Sequence, residues 1–198
     1  MTANVLIAFY SRNGSTEALA KAVAEGAEAE GAAVRLRRAR DIVSPAVMAH
    51  VPGWTENAAR MDAAYPAPTP EDVEWADAIV FGTPTRFGNA AAELKAFIDS
   101  LGGLWFQGKL NGKVGSAFVA TQSLHGGNES TLLSLYNPMA HLGLIIVPTG
   151  YADASLFKAG TPYGASVVTG GSPVPTEDDL AVGRFQGKRV AQVAGKLK

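Results

Sequence analysis

The chain has no cysteine, which excludes disulfides, thiolate-bound zinc, iron–sulfur ligation and a cysteine nucleophile together. Charge is scarce as well: charged residues make up 18% of the 198 positions, against about 25% in an average soluble domain. The 17 basic and 18 acidic residues leave a net charge of -1, so there is no electrostatic footprint for a nucleic-acid backbone or an anionic membrane surface. The expectation is therefore no nucleic-acid and no membrane partner. No apolar run approaches the roughly 18 residues of a membrane span, and no basic start followed by an apolar stretch marks a secretion signal, which makes the cytoplasm the expected compartment. A mean hydropathy of +0.07 with so little charge points either to surface hidden between subunits or to an alanine-rich core with few lysines.

What is present is an alternation of strands and helices in a length that suits one α/β domain, residues 1–198. Val5 to Tyr10 is a continuous apolar run, as in a strand covered on both faces. It stops at Ser11-Arg12-Asn13-Gly14-Ser15, and an amphipathic helix follows over Thr16 to Ala29, capped by Ser15 or Thr16. Ala33 to Arg37, Ala78 to Phe81, Val114 to Ala120 and Leu144 to Val147 are the further strands, the last of them closing the core. Helices are expected over Thr69 to Asp77, Ala90 to Leu101 and Glu129 to Leu142, and a terminal helix starts at Thr176 with Asp179 in its capping interaction. Two stretches break the pattern. Residues 39–70 carry five prolines and read as an irregular excursion with one helical turn, and 148–173 reads as a glycine-rich irregular loop. The pattern predicts a parallel sheet with helices on both faces.

In such folds ligands sit beyond the carboxyl ends of the strands, which leaves three loops. Ser11 to Thr16 combines hydroxyl and amide side chains with Gly14 just before a helix N-terminus, a place for a phosphate. It lacks the lysine of a Walker loop and the glycines of a dinucleotide fingerprint. An ordinary Asn-Gly turn with a serine cap is the plain alternative. The second loop, Thr83-Pro84-Thr85-Arg86-Phe87-Gly88-Asn89, offers backbone N–H groups, an arginine and an aromatic to the edge of a planar heteroaromatic ring. The third, Thr121-Gln122-Ser123-Leu124-His125-Gly126-Gly127-Asn128, is polar and flexible enough to serve a ligand or only a turn. His50, His125 and His141 show no metal-ligand spacing, and no Ser/His/Asp set is assignable.

On these blocks the sequence resembles the WrbA family of NAD(P)H:quinone oxidoreductases. Ser11-Arg12-Asn13-Gly14-Ser15-Thr16 is similar to a flavodoxin-type FMN phosphate loop. The stretch Phe81 to Asn89 looks like the family signature, and Gly102-Gly103-Leu104-Trp105, Met139-Ala140-His141-Leu142-Gly143 and Gly160-Thr161-Pro162-Tyr163-Gly164-Ala165 match further family blocks. The resemblance implies a flavodoxin-like doubly wound five-stranded parallel sheet of order 2-1-3-4-5, noncovalent FMN, NADH or NADPH as electron donor, a quinone as acceptor and a homotetramer. It places the FMN phosphate on Ser11, Arg12, Asn13, Gly14, Ser15 and Thr16. The isoalloxazine ring falls to Pro84, Thr85, Arg86, Phe87 and Gly88, and the ring and ribityl chain to Ala120, Thr121, Gln122, Ser123, Leu124 and His125. His141 also falls to the cofactor, and Trp105 with His141 to the quinone side, partly across a subunit boundary. Asn13, also a substrate-binding candidate, stands where the family usually has a tyrosine, and Gln122 to His125 stand where it is richer in glycine. Two other readings of the same fold are a one-electron carrier of the flavodoxin type and a nonenzymatic partner-binding scaffold.

Overall fold

The computed structural model describes residues 2–172 and 174–198, so Pro173, the expected end of the glycine-rich stretch, lies outside the described residues. The strands are β1 (Asn4–Phe9), β2 (Ala33–Arg38), β3 (Ala78–Arg86), β4 (Asn89–Ala90), β5 (Val114–Thr121), β6 (Ile145–Ile146) and β7 (Ser166–Val168). The helices are α1 (Ser15–Ala29), α2 (Pro45–Met48), α3 (Trp54–Ala64), α4 (Pro70–Trp75), α5 (Ala92–Asp99), α6 (Gly102–Phe106), α7 (Asn128–His141) and α8 (Glu177–Leu197).

The sheet runs β2-β1-β3-β5-β6 with parallel neighbours, the doubly wound flavodoxin-like order expected from the sequence. Its fifth position differs in detail. β6 pairs with Val114 and Gly115 at the start of β5, while β7 pairs with Val119 to Thr121 at its end. Two short strands in tandem thus replace the single Leu144 to Val147 strand, and the expected irregular tail contains a piece of the sheet. Three residues, Ser166-Val167-Val168, carry too little periodicity to announce themselves. β3 also runs on past Phe81, because Thr85 and Arg86 turn back through β4 as a short antiparallel hairpin.

Alternate residues of the central strands serve two cores, as a sheet covered on both faces requires. Val5, Ile7, Phe9, Val80 and Phe118 face α1 and α8, packing on Leu19, Val23, Val182 and Val190. Leu6, Ala8, Ile79, Phe81 and Val119 face the other way, onto Leu94 and Ile98 of α5 and Leu132, Leu135 and Met139 of α7. α1 and α8 approach until backbones touch: a Cβ on Gly26 would stand 1.8 Å from the Arg184 carbonyl oxygen, and one on Gly187 1.8 Å from that of Val23. Only glycine permits that contact.

Residues 39–70 are more ordered than the prolines suggest. They hold α2 and the eleven-residue α3, which buries Trp54, Ala58 and Met61 at i, i+4 and i+7. An alanine in that stripe is a weak signal, which is why the helix escapes a periodicity reading. The expected capping of α1 by Ser15 or Thr16 is also corrected: its N-cap is Gly14, left-handed at φ 99°, with no side-chain cap bond. The capping boxes of Thr69 with Asp72 and of Thr176 with Asp179 are both present.

Candidate functional site

Three loops meet at the carboxyl edge, where the strand order reverses between β1 and β3. In the first, Ser11 and Thr16 are buried, and the Ser11 hydroxyl accepts the Gly14 N–H at 3.1 Å. This bond and the left-handed Gly14 turn the chain sharply, so that the first amides of the fifteen-residue α1 face outward from a dipole end that favours an anion. A Cβ on Gly14 would meet nothing nearer than Glu17 at 4.0 Å, so the space before the helix end is open. Asn13 is exposed, Ser15 is buried, and Arg12 is half-buried.

The second loop is a hairpin tip with Phe87 at φ 53° and Gly88 at φ 78°. A bulky residue in the left-handed region costs on the order of 1–3 kcal/mol. Phe87 recovers none of that by burial within the chain, being 103% exposed. An aromatic ring strained into solvent beside a helix dipole is suited to cover a ligand. Below it, Thr85 shares a 2.8 Å hydrogen bond with Thr131 of α7 and accepts the Gly88 N–H at 3.3 Å, while Thr83 accepts the Ala91 N–H. Pro84 and Arg86 are half-buried.

The third loop touches the second, since a Cβ on Gly127 would lie 3.2 Å from the Gly88 Cα. Thr121 is buried at the end of β5, next to buried Ala120, and donates to the Ser123 carbonyl at 3.1 Å. Gln122, Ser123, Leu124 and His125 stand exposed at the rim. The buried Asn128 carries a side-chain oxygen with no hydrogen-bond partner among the described residues. A buried acceptor left over at such an edge is open to a donor from a ligand or a water.

Sequence reasoning missed what holds the first loop in place. Arg38, at the end of β2 and fully buried, donates to the Ser11 carbonyl at 3.1 and 3.3 Å and pairs with Asp41 at 2.7 Å and Asp62 at 2.5 Å. Asp41 also accepts from the Tyr10 hydroxyl at 2.6 Å and the Trp54 indole at 2.7 Å. Burial opposes the Asp41 charge, but these three donors hold its carboxyl below the usual range, whereas burial and Asp41 push the Tyr10 hydroxyl up. The excursion is therefore the scaffold of the loop. The available signal was an arginine at the inner end of a strand, three residues before an aspartate, which is common on surfaces as well.

α3 is tied to α1 in the same way. Glu17 is buried and receives hydrogen bonds from both Arg60 and Tyr65, with Lys21 at 3.3 Å. Burial alone would raise its pKa; Arg60, Tyr65 and Lys21 more than offset this and lower it from 4.5 to about 2. A depressed carboxyl contributes stability that is complete above its unfolded value and is lost as pH falls through the folded one. As pH falls from 4.5 to 2 the protein is expected to lose the stability this group contributes, less than the full shift implies because half-exposed Arg60 and Lys21 are screened by solvent. Urea unfolding of wild type and Glu17→Gln across that window should show the acid-dependent difference closing; parallel curves would remove Glu17 from the acid response.

Trp105 and His141 are brought together, but elsewhere. α7 runs from the third loop back to the amino ends of the strands, about 20 Å away at 1.5 Å per residue. His141 closes it there. With Ile98, Asp99, Gly102, Pro138 and Leu142, the two residues line a cavity of about 260 Å³, and Trp105 is 54% exposed. Within one chain neither meets the three loops. Among the described residues no group of three or more His, Asp or Glu is placed to hold a metal ion, and no helix is long and apolar enough to cross a membrane.

An open helix N-terminus with buried hydroxyls, a strained aromatic over the adjacent hairpin and an unpaired acceptor on the third loop fit the phosphate, ring face and ring edge of FMN. On the doubly wound sheet they define a flavin-mononucleotide protein of the flavodoxin-like class. The chain belongs to the NADPH-dependent FMN reductase family, whose sequence pattern it matches over residues 1–158. Among solved structures it is similar to a WrbA-like flavodoxin from Agrobacterium tumefaciens, at 28% identity and TM-score 0.70 over 100% of both chains. The two-electron reduced flavodoxin of Megasphaera elsdenii superposes with TM-score 0.59 at 18% identity, covering 95% of this chain and 98% of that one. An archaeal flavodoxin does so with TM-score 0.64 at 17% identity, covering 97% and 99%. These two share the fold.

Proposed function

We propose that this family member is an FMN-dependent NAD(P)H:quinone oxidoreductase, reducing quinones by two electrons in ping-pong order, as a homotetramer in the cytoplasm. The observation that supports the reading is the hairpin of Thr85 to Asn89, where a fully exposed Phe87 in a strained conformation stands beside the third loop. Bound FMN supplies hydride acceptance and two-electron transfer. The protein supplies the rest: Ser11, Thr16 and the amides from Asn13 to Thr16 hold the phosphate, Pro84 to Gly88 and Ala120 to His125 hold the ring, and Asn13 stands at the nucleotide side. A one-electron carrier usually docks through a strongly acidic face, and a net charge of -1 supplies none.

Trp105 and His141 act at the quinone side in this reading, through a neighbouring subunit, because their own chain keeps them at the opposite end of the sheet. Phe106, 86% exposed beside Trp105, gives that end the apolar surface an interface needs. The test is an anaerobic titration of the yellow protein with NADH and NADPH followed by a benzoquinone chase. Bleaching by a nucleotide and full recovery of the oxidised spectrum on adding quinone are expected. A flavin that stays oxidised in excess of both nucleotides defeats the proposal, as does an active monomer in sedimentation for the shared site.

A further inference from the structure

The sequence contains two Asn-Gly steps, Asn13-Gly14 and Asn111-Gly112. Asparagine is chemically labile, and most so before glycine, because no side chain there hinders attack of the next backbone nitrogen on the asparagine Cγ. The two steps are held differently. The Gly112 N–H donates to the Gly143 carbonyl at 2.9 Å, and Asn111 packs so closely on Gly143 that a Cβ there would lie 2.7 Å from its Oδ1. Asn13-Gly14 is the apex of the first loop, and the chain is fastened on either side of it. The Ser11 carbonyl takes two bonds from Arg38, the Arg12 guanidinium lies 3.7 Å from the centre of the Trp54 ring, and Ser15 and Thr16 are buried. Asn13 itself is exposed, and its side chain makes no hydrogen bond among the described residues. The Gly14 N–H is held by the Ser11 hydroxyl alone, and the space beside Gly14 is open to 4.0 Å.

Gly14 is also the N-cap of α1, and the positive end of the helix dipole favours the negative charge its nitrogen develops on losing a proton. We propose that Asn13-Gly14 is a site of spontaneous deamidation, and that this modification ages the first loop out of FMN binding. The Gly14 nitrogen gives its proton to water and bonds to the Asn13 Cγ. The Cγ–Nδ2 bond breaks, ammonia leaves, and the five-membered imide takes up one water at either carbonyl. Nothing is oxidised or reduced. One opening leaves an aspartate at position 13, and the other an isoaspartate, whose main chain runs through the former side chain and is one carbon longer. Either product sets a carboxylate at the mouth of α1, where it competes with the phosphate for the dipole end and repels it. The isoaspartate also displaces the left-handed Gly14 turn. A Gly14 N–H committed to a bound phosphate is no longer free to lose its proton, so flavin-free protein ages faster.

The consequence for FMN rests on the reading of Ser11 to Thr16 as the phosphate loop, whereas the chemical step does not, and the experiment reads the two separately. Fresh protein, stripped of flavin or loaded with FMN, is kept for days in mildly alkaline buffer. Peptide mass spectrometry follows amide loss at both Asn-Gly steps, and fluorescence titration gives the FMN dissociation constant before and after. Asn13 is expected to convert well ahead of Asn111, and faster without FMN than with it. The converted protein should bind FMN about tenfold more weakly or worse. Asn13→Gln closes its larger imide far more slowly and should keep its own fresh affinity through the same incubation. An Asn13 that stays intact, or converts no faster than Asn111, overturns the inference. So does conversion that leaves FMN affinity unchanged, or an Asn13→Gln variant that loses affinity as fast as wild type. Fresh protein that binds no FMN, or conversion indifferent to bound FMN, defeats the phosphate loop instead, with amide loss at Asn13 still read by mass.

Discussion

The Ser11→Ala, Thr16→Ala double variant is expected to fold and to lose FMN. Each hydroxyl is buried at the mouth of α1, and a hydrogen bond to a charged group contributes about 1.5–3 kcal/mol. Losing two weakens binding on the order of a hundredfold or more. The Ser11 hydroxyl also accepts the Gly14 N–H, so part of the effect comes through a looser turn, but the backbone amides and the helix dipole remain. Fluorescence titration of the apoprotein measures the dissociation constant, and circular dichroism checks the fold. An unchanged constant would move the phosphate to another loop.

A second large effect is expected from Arg38→Met. The substitution keeps much of the side-chain volume but leaves Asp41, whose side chain is 6% exposed, without its cation, and removes a partner from Asp62. Removing one member of a buried ion pair costs about 3–5 kcal/mol, a large share of the 5–15 kcal/mol typical of a folded domain. The Ser11 carbonyl loses its donors at the same time, so whatever protein remains folded should bind FMN less tightly. Urea unfolding reports the first loss and flavin titration the second. Stability reduced by less than about 1 kcal/mol would show that the network is relieved by water rather than by Arg38. Unchanged flavin affinity in folded variant would mean that the loop holds its shape unaided.

Local order in the sequence made the sheet legible. Val5 to Tyr10 and Val114 to Ala120 are apolar without alternation because both faces of those strands are covered, and the loops that follow them had to be polar where the ligand edge begins. The capping boxes at Thr69 and Thr176 were readable for the same reason: partners three residues apart need no tertiary information. The three candidate loops could be singled out from sequence because each lies at the carboxyl end of an apolar strand run, and chain order determines that.

Contacts between distant segments decided the rest. Nothing local says that Trp54 will stack on Arg12, that Arg38 will reach the Ser11 carbonyl, or that Glu17 will meet Arg60 and Tyr65, since these partners lie 27 to 48 positions apart along the chain. The strain at Phe87 is also invisible in sequence, where Phe-Gly in a loop reads as ordinary. The same holds for Trp105 and His141, whose sequence blocks name them for the quinone side, His141 also for the cofactor, while the direction of α7 carries them to the other end of the sheet. Sequence alone determined the alternation that builds the fold and the loops at its carboxyl edge, because burial periodicity and turn chemistry act over a few residues. Only the tertiary structure decided which charges those loops share and which are left unpaired, because that depends on where the packing of α3, α7 and β2 brings side chains that the chain itself keeps far apart.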